Sequence, residues 1–115
     1  MKMNRILSIV LLSIVSISVM ALEDQCTSWG CKSTISELYT NAQGDIYVAT
    51  PLDEKLANCT AVSGVYFTLD PTLSNAKEVY STLLAAFISN KKVQLRVKEG
   101  DSKCRLSYVR LDASF

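Results

Sequence analysis

Apolar and polar positions change period several times along this chain, and each change marks an element. Lys2 and Arg5 precede an apolar run from Ile6 to Val19 that is interrupted only by Ser8, Ser13, Ser16 and Ser18 and closes on Val19-Met20-Ala21. That layout predicts a secretory signal over residues 1–21, because the run is short for a membrane span and ends in small residues at cleavage-site spacing. Thr34 to Thr40 alternates well enough for a first strand and stops at Asn41-Ala42-Gln43-Gly44-Asp45, which reads as a hairpin turn. Asp45 to Thr50 is rich in β-formers and predicts a second strand, ended by Pro51. After a loop over 51–58, Cys59 opens a third extended segment whose mass lies in Val62, Val65, Tyr66, Phe67 and Leu69, with Gly64 permitting a bulge.

Helical period then takes over. Ala76, Val79, Tyr80, Leu83, Leu84, Phe87 and Ile88 fall on one stripe of a helix from Asn75 to Ser89. Asn75 and Glu78 have capping-box spacing, and Asn90 suits a left-handed C-cap. The opposite face, with Lys77, Glu78, Ser81, Thr82, Ala85 and Ser89, reads as solvated, or as a small-residue face packed against copies of itself. Val93, Leu95 and Val97 next alternate with Lys92, Gln94, Arg96 and Lys98, predicting a fourth strand with one basic face. Gly100-Asp101 turns it, and Leu106, Tyr108 or Val109, and Leu111 predict a fifth. The expectation is a mainly β domain with one helix, in the order β-β-β-α-β-β.

Composition narrows the chemistry. Loss of Lys2 and Arg5 takes the basic count from 12 to 10 against 11 acids, so a mature chain is near neutral and has no general drive toward nucleic acid. With 0 histidines there is no Cys/His zinc site and no ordinary Ser-His-Asp triad. No metal, cofactor or catalytic residue is assigned: Ser63-Gly64 lacks an activating histidine, and Asp53 and Glu54 read as a solvated loop. Four cysteines in a small exported chain predict two disulfides, and the compartment is secreted or periplasmic rather than membrane-spanning. The row Lys92, Arg96 and Lys98, joined by Lys103, Arg105 and Arg110, would suit an anionic ligand or an ordinary solvated face.

Five short strands with a helix between the third and fourth is the order of the OB-fold, a five-stranded barrel used for oligosaccharides and oligonucleotides. Ile35-Ser36-Glu37-Leu38, the helix Val79-Tyr80-Ser81-Thr82-Leu83-Leu84-Ala85-Ala86 and the strand Lys92-Val93-Gln94-Leu95-Arg96-Val97 carry a further likeness. Through them the chain resembles the B subunits of pentameric bacterial toxins of the subtilase-cytotoxin and typhoid-toxin type, and small exported proteins of uncharacterised function with the same layout. The resemblance spans roughly residues 33 to 111, after a disulfide loop over 22–32, and places an OB-fold domain at 33–115. It implies a glycan ligand, a homo-pentameric ring and a separately encoded enzymatic subunit.

In such B subunits a serine shortly before the Ile35-Ser36-Glu37-Leu38 stretch contacts sialylated glycan, and here that spacing falls on Cys31. A sugar contact would have to be rebuilt from Ser28, Trp29 or Lys32. In the barrel the starts of strands three and five are neighbours, which pairs Cys59 with Cys104 and leaves Cys26 with Cys31; the two other pairings remain open. Trp29, inside Cys26-Thr27-Ser28-Trp29-Gly30-Cys31, is then either an exposed ring presented to a sugar or partner, or a ring folded back over the barrel edge. The competing reading is a free-standing OB-fold interaction protein with no toxin partner.

Overall fold

The computed structural model describes residues 13–16 and 24–115; the expected signal segment 1–21 lies outside the described residues except for 13–16. The described residues form seven strands and one α-helix: β1 Gln25–Thr27, β2 Gly30–Ser33, β3 Glu37–Thr40, β4 Ile46–Ala49, β5 Phe67–Leu69, α1 Ala76–Ile88, β6 Val93–Val97 and β7 Leu106–Arg110. They make two open antiparallel sheets, one ordered β1-β2-β6-β7 and one ordered β3-β4-β5. This corrects the five-stranded OB-fold barrel: no ladder closes the two sheets on each other. An isolated parallel bridge joins Thr68 to Arg105, where the Thr68 N–H donates to the Cys104 carbonyl at 3.1 Å and Thr68 Oγ1 to the Lys103 carbonyl at 2.7 Å.

Two local features explain the difference. The stretch Cys26 to Cys31 is itself a hairpin, with Cys26 opposite Cys31 in register, so it adds two strands where none was expected. The predicted first strand, Thr34 to Thr40, shortens to Glu37–Thr40, and Thr34 to Ser36 become a break between β2, which pairs with β6, and β3, which pairs with β4. Ile35 lies in that break and fills the core between the sheets. The third extended segment shortens to Phe67–Leu69 because Val62 and Tyr66 bridge each other around a turn with positive φ at Ser63 and Gly64. A single 3-10 turn, Glu54–Leu56, occupies the expected loop.

Alternation decides burial in both sheets. Val93, Leu95 and Val97 face inward with Cys31, Leu106, Val48, Phe67, Leu69, Leu83 and Ala86, all in one buried cluster. Gly30 sits where β2 crosses β6, with φ +139°, and a Cβ there would collide with the Leu95 carbonyl oxygen. Only glycine allows that approach. Both disulfides are present, Cys26–Cys31 and Cys59–Cys104, and the described residues hold no free cysteine.

The helix ends as expected but starts differently. Asn90 has φ 51°, Lys91 N–H donates to Ala86 O at 2.9 Å and Asn90 N–H to Phe87 O at 3.3 Å, which is the Schellman arrangement. Asn75 makes no side-chain cap hydrogen bond, so the expected capping box is not formed. Burial follows Ala76, Val79, Tyr80, Leu83 and Ala86 rather than the whole apolar stripe. Leu84, Phe87 and Ile88 are left 37%, 40% and 75% exposed.

Candidate functional site

The hairpin from Glu37 to Ala49 carries the most distinctive surface. Its turn is set by Asn41, whose Oδ1 accepts from the Gln43 and Asp45 N–H groups at 3.0 Å each, while its Nδ2 donates to Asp45 Oδ2 at 3.1 Å. Gly44, at φ +86°, supplies the left-handed residue the turn needs. That closure fixes the register Leu38↔Val48 and Tyr39↔Tyr47. Leu38, Val48 and Phe67 therefore point into the core, and Tyr39 and Tyr47 point out on the opposite face.

Tyr66 reaches the same outer face from the residue before β5. The three rings form a closed cluster: centroids are 5.8 Å apart for Tyr39 and Tyr47, 5.9 Å for Tyr39 and Tyr66, and 5.4 Å for Tyr47 and Tyr66. Interplanar angles of 25° for Tyr39 and Tyr47 and 27° for Tyr47 and Tyr66 are those of stacked pairs, whereas Tyr39 and Tyr66 are tilted by 32°. Such spacings lie in the favourable range for offset aromatic pairs. Tyr39 is 42% exposed and the other two are half-buried, so the cluster borders solvent.

Carboxylates bracket the rings. The Tyr66 hydroxyl donates to Glu37 Oε1 at 2.9 Å, and this bond, followed by partial burial and the Glu37 charge, raises the Tyr66 phenol above its ordinary value. Burial and then the neighbouring Asp45 carboxylate raise Tyr47 as well. Both phenols therefore remain protonated near neutral pH. Asp45 also borders a groove of about 630 Å³ between the hairpin turn and the start of the helix, lined by Asn41, Ile46, Pro71, Lys77 and Tyr80 among others.

The residues singled out from sequence do not converge. Ser28 and Trp29 form the turn of the β1–β2 hairpin; the Ser28 carbonyl accepts from Asn58 N–H and the Trp29 carbonyl from Val97 N–H, both at 2.9 Å. Trp29 is half-buried rather than displayed. Lys32 lies further along β2, opposite Gln94, buried with its Nζ 4.2 Å from the centre of the Phe115 ring. The expected basic face is partly neutralised: Lys92 pairs with Asp24 at 2.9 Å, Arg105 with Asp101 at 2.8 Å and Arg110 with Asp112 at 2.7 Å.

Glu54 corrects another expectation, since it is 2% exposed and not solvated; its Oε1 accepts from the Thr50 N–H at 2.6 Å and hydroxyl at 2.8 Å. It holds the chain's bend after β4. Among the described residues no group of three or more potential metal ligands occurs, and no helix is long and apolar enough to cross a membrane. The tyrosine cluster was not visible as a site in the sequence, where Tyr39 and Tyr47 register only as good strand formers. Their shared parity across a tight turn was the available signal; Tyr66 had none. No protein-family model, curated protein or solved structure matches the chain.

Proposed function

We propose that this is an exported, non-enzymatic carbohydrate-binding module whose ligand stacks on Tyr39, Tyr47 and Tyr66. The observation that carries the reading is the cluster itself: three tyrosine rings gathered on the outer side of one sheet, their centroids 5.4 to 5.9 Å apart. The C–H face of a pyranose ring fits against aromatic faces, and protonated phenols with adjacent carboxylates supply donors and acceptors for its hydroxyls. The rings are fixed by strand pairing, so little entropy is lost on binding. This places the sugar contact on β3, β4 and Tyr66 instead of on Ser28, Trp29 and Lys32. The two disulfides support an oxidising destination, secreted or periplasmic.

The likeness to toxin B subunits rests on the three sequence stretches alone, and a ring-forming oligomer with a separate enzymatic partner remains part of this proposal on that ground. The exposed Leu84, Phe87 and Ile88, which lie together on one side of the helix, offer a contact surface to either a neighbouring subunit in a ring or, in the alternative reading, the partner of a free-standing interaction protein. Saccharide titrations followed by tyrosine-ring NMR test the first reading. Binding that shifts the resonances of all three rings and falls about tenfold in Tyr39→Ala supports it; saccharides that leave those rings unmoved overturn it.

A further inference from the structure

We propose that the tyrosine platform selects its saccharide by charge, preferring amino sugars, accepting neutral ones and excluding sialylated or otherwise acidic glycans. This rests on the carbohydrate reading above and adds the ligand class. Register places Glu37, Tyr39, Asp45 and Tyr47 on one face, with Glu37 opposite Ala49 and Asp45 four residues before Ala49. At ~3.4 Å per strand residue the backbone positions of the two acids stand ~14 Å apart along the strands, one towards each end of the hairpin face that carries Tyr39 and Tyr47.

Neither acid is neutralised. Among the described residues the ion pairs are those of Lys92, Arg105 and Arg110, and none involves Glu37 or Asp45. Lys77 lines the groove that Asp45 also borders, and the Lys55 stem lies beside Gly64; neither forms an ion pair with Glu37 or Asp45. Glu37 accepts from the Tyr66 hydroxyl through Oε1, which leaves Oε2; Asp45 accepts from Asn41 through Oδ2 and lies beside the Tyr47 hydroxyl, so a ligand there shares its remaining lone pairs. A ligand ammonium gains a charge-assisted hydrogen bond there and a favourable position over the electron-rich ring faces, whereas a ligand carboxylate meets two like charges.

The test uses the processed chain in low-salt, mildly acidic buffer, which keeps the sugar amines protonated and leaves surface charges little screened. Four probes are titrated against the tyrosine-ring resonances: the N-acetylglucosamine trisaccharide, the same trisaccharide fully deacetylated, lactose and sialyllactose. The deacetylated sugar should bind roughly three- to tenfold tighter than its acetylated parent, and sialyllactose weaker than lactose by a similar factor, as expected for exposed charges. High salt should compress both ratios, and the double variant Glu37→Gln with Asp45→Asn should bring both to about one, whatever it does to the absolute affinity for neutral sugars. Equal affinities across the series, or tightest binding of sialyllactose, would overturn charge selection and leave the platform reading standing. Absence of any ring shift with all four probes would overturn both.

Discussion

Tyr66 and Glu37 are separated by 29 residues yet joined by a 2.9 Å hydrogen bond that ties the chain before β5 to the first residue of β3. Because the phenol is the donor, its protonated form is favoured in the folded protein. A folded value raised above the unfolded one contributes stability that is present below the usual tyrosine range of about 10 and is lost as pH rises through the folded value. Absorbance titration of phenolate should therefore show late-titrating tyrosines in the native chain, and Glu37→Ala should bring one of them down. A native titration curve unchanged by Glu37→Ala would remove this link.

Gly30→Ala should be among the most damaging single changes. The added methyl would meet the Leu95 carbonyl where β2 pairs with β6, and φ +139° is closed to alanine. We expect a loss on the order of 3–5 kcal/mol, read as a lower denaturant midpoint or failure to accumulate. A variant within about 1 kcal/mol of the parent would mean that the central pairing of the larger sheet can shift.

The two disulfides should differ in weight. Cys59–Cys104 closes a separation of 45 residues and Cys26–Cys31 one of 5, so chain entropy assigns them about 4 and about 2 kcal/mol. Double Cys→Ala variants of each pair, compared by urea unfolding, should follow that order. The reverse order would show that the short hairpin clip governs the folded state rather than its unfolded reference.

These features also mark how far the sequence carried the structure. The helix and β6 were legible because their apolar periods are clean over 13 and 5 residues and their inward positions are buried. The disulfide pairs could be assigned because Cys104 lies beside the strand that follows Cys59, a neighbourhood kept by the Thr68 contacts. The hairpin at Cys26 to Cys31 was hidden, since Gly30, Cys31, Lys32 and Ser33 show no alternation and all four are buried. The barrel expectation failed at Thr34 to Ser36, where propensity gave no sign of the break that separates the sheets. The tyrosine site needed Tyr66, whose position follows from the tight turn at Ser63 and Gly64 and not from any local pattern.

Self-association should use the helix's exposed apolar side and not its small polar face. Ile88 is 75% exposed and Phe87 and Leu84 flank it, whereas Thr82 is half-buried with its hydroxyl bonded to the Glu78 carbonyl at 3.0 Å. If the proposed ring forms, Ile88→Asp should convert it to monomers in sedimentation velocity without moving the thermal midpoint appreciably, as expected for a surface position. A parent chain that stays monomeric at every concentration would end the oligomer proposal.

Trp29→Ala separates a clip from a binding loop. Trp29 is half-buried at the tip of the β1–β2 hairpin, its backbone carbonyl accepts from the Val97 N–H, and the disulfide behind it holds the two strands together. Truncation removes part of that buried ring surface, so a loss of about 1–2 kcal/mol is expected, more than a freely displayed ring would give. Saccharide affinity measured on the folded fraction should stay within about twofold of the parent, because the stacking surface lies on the other sheet. If affinity instead falls as far as in Tyr39→Ala while stability is untouched, the hairpin tip is the contact surface and the tyrosine platform is not.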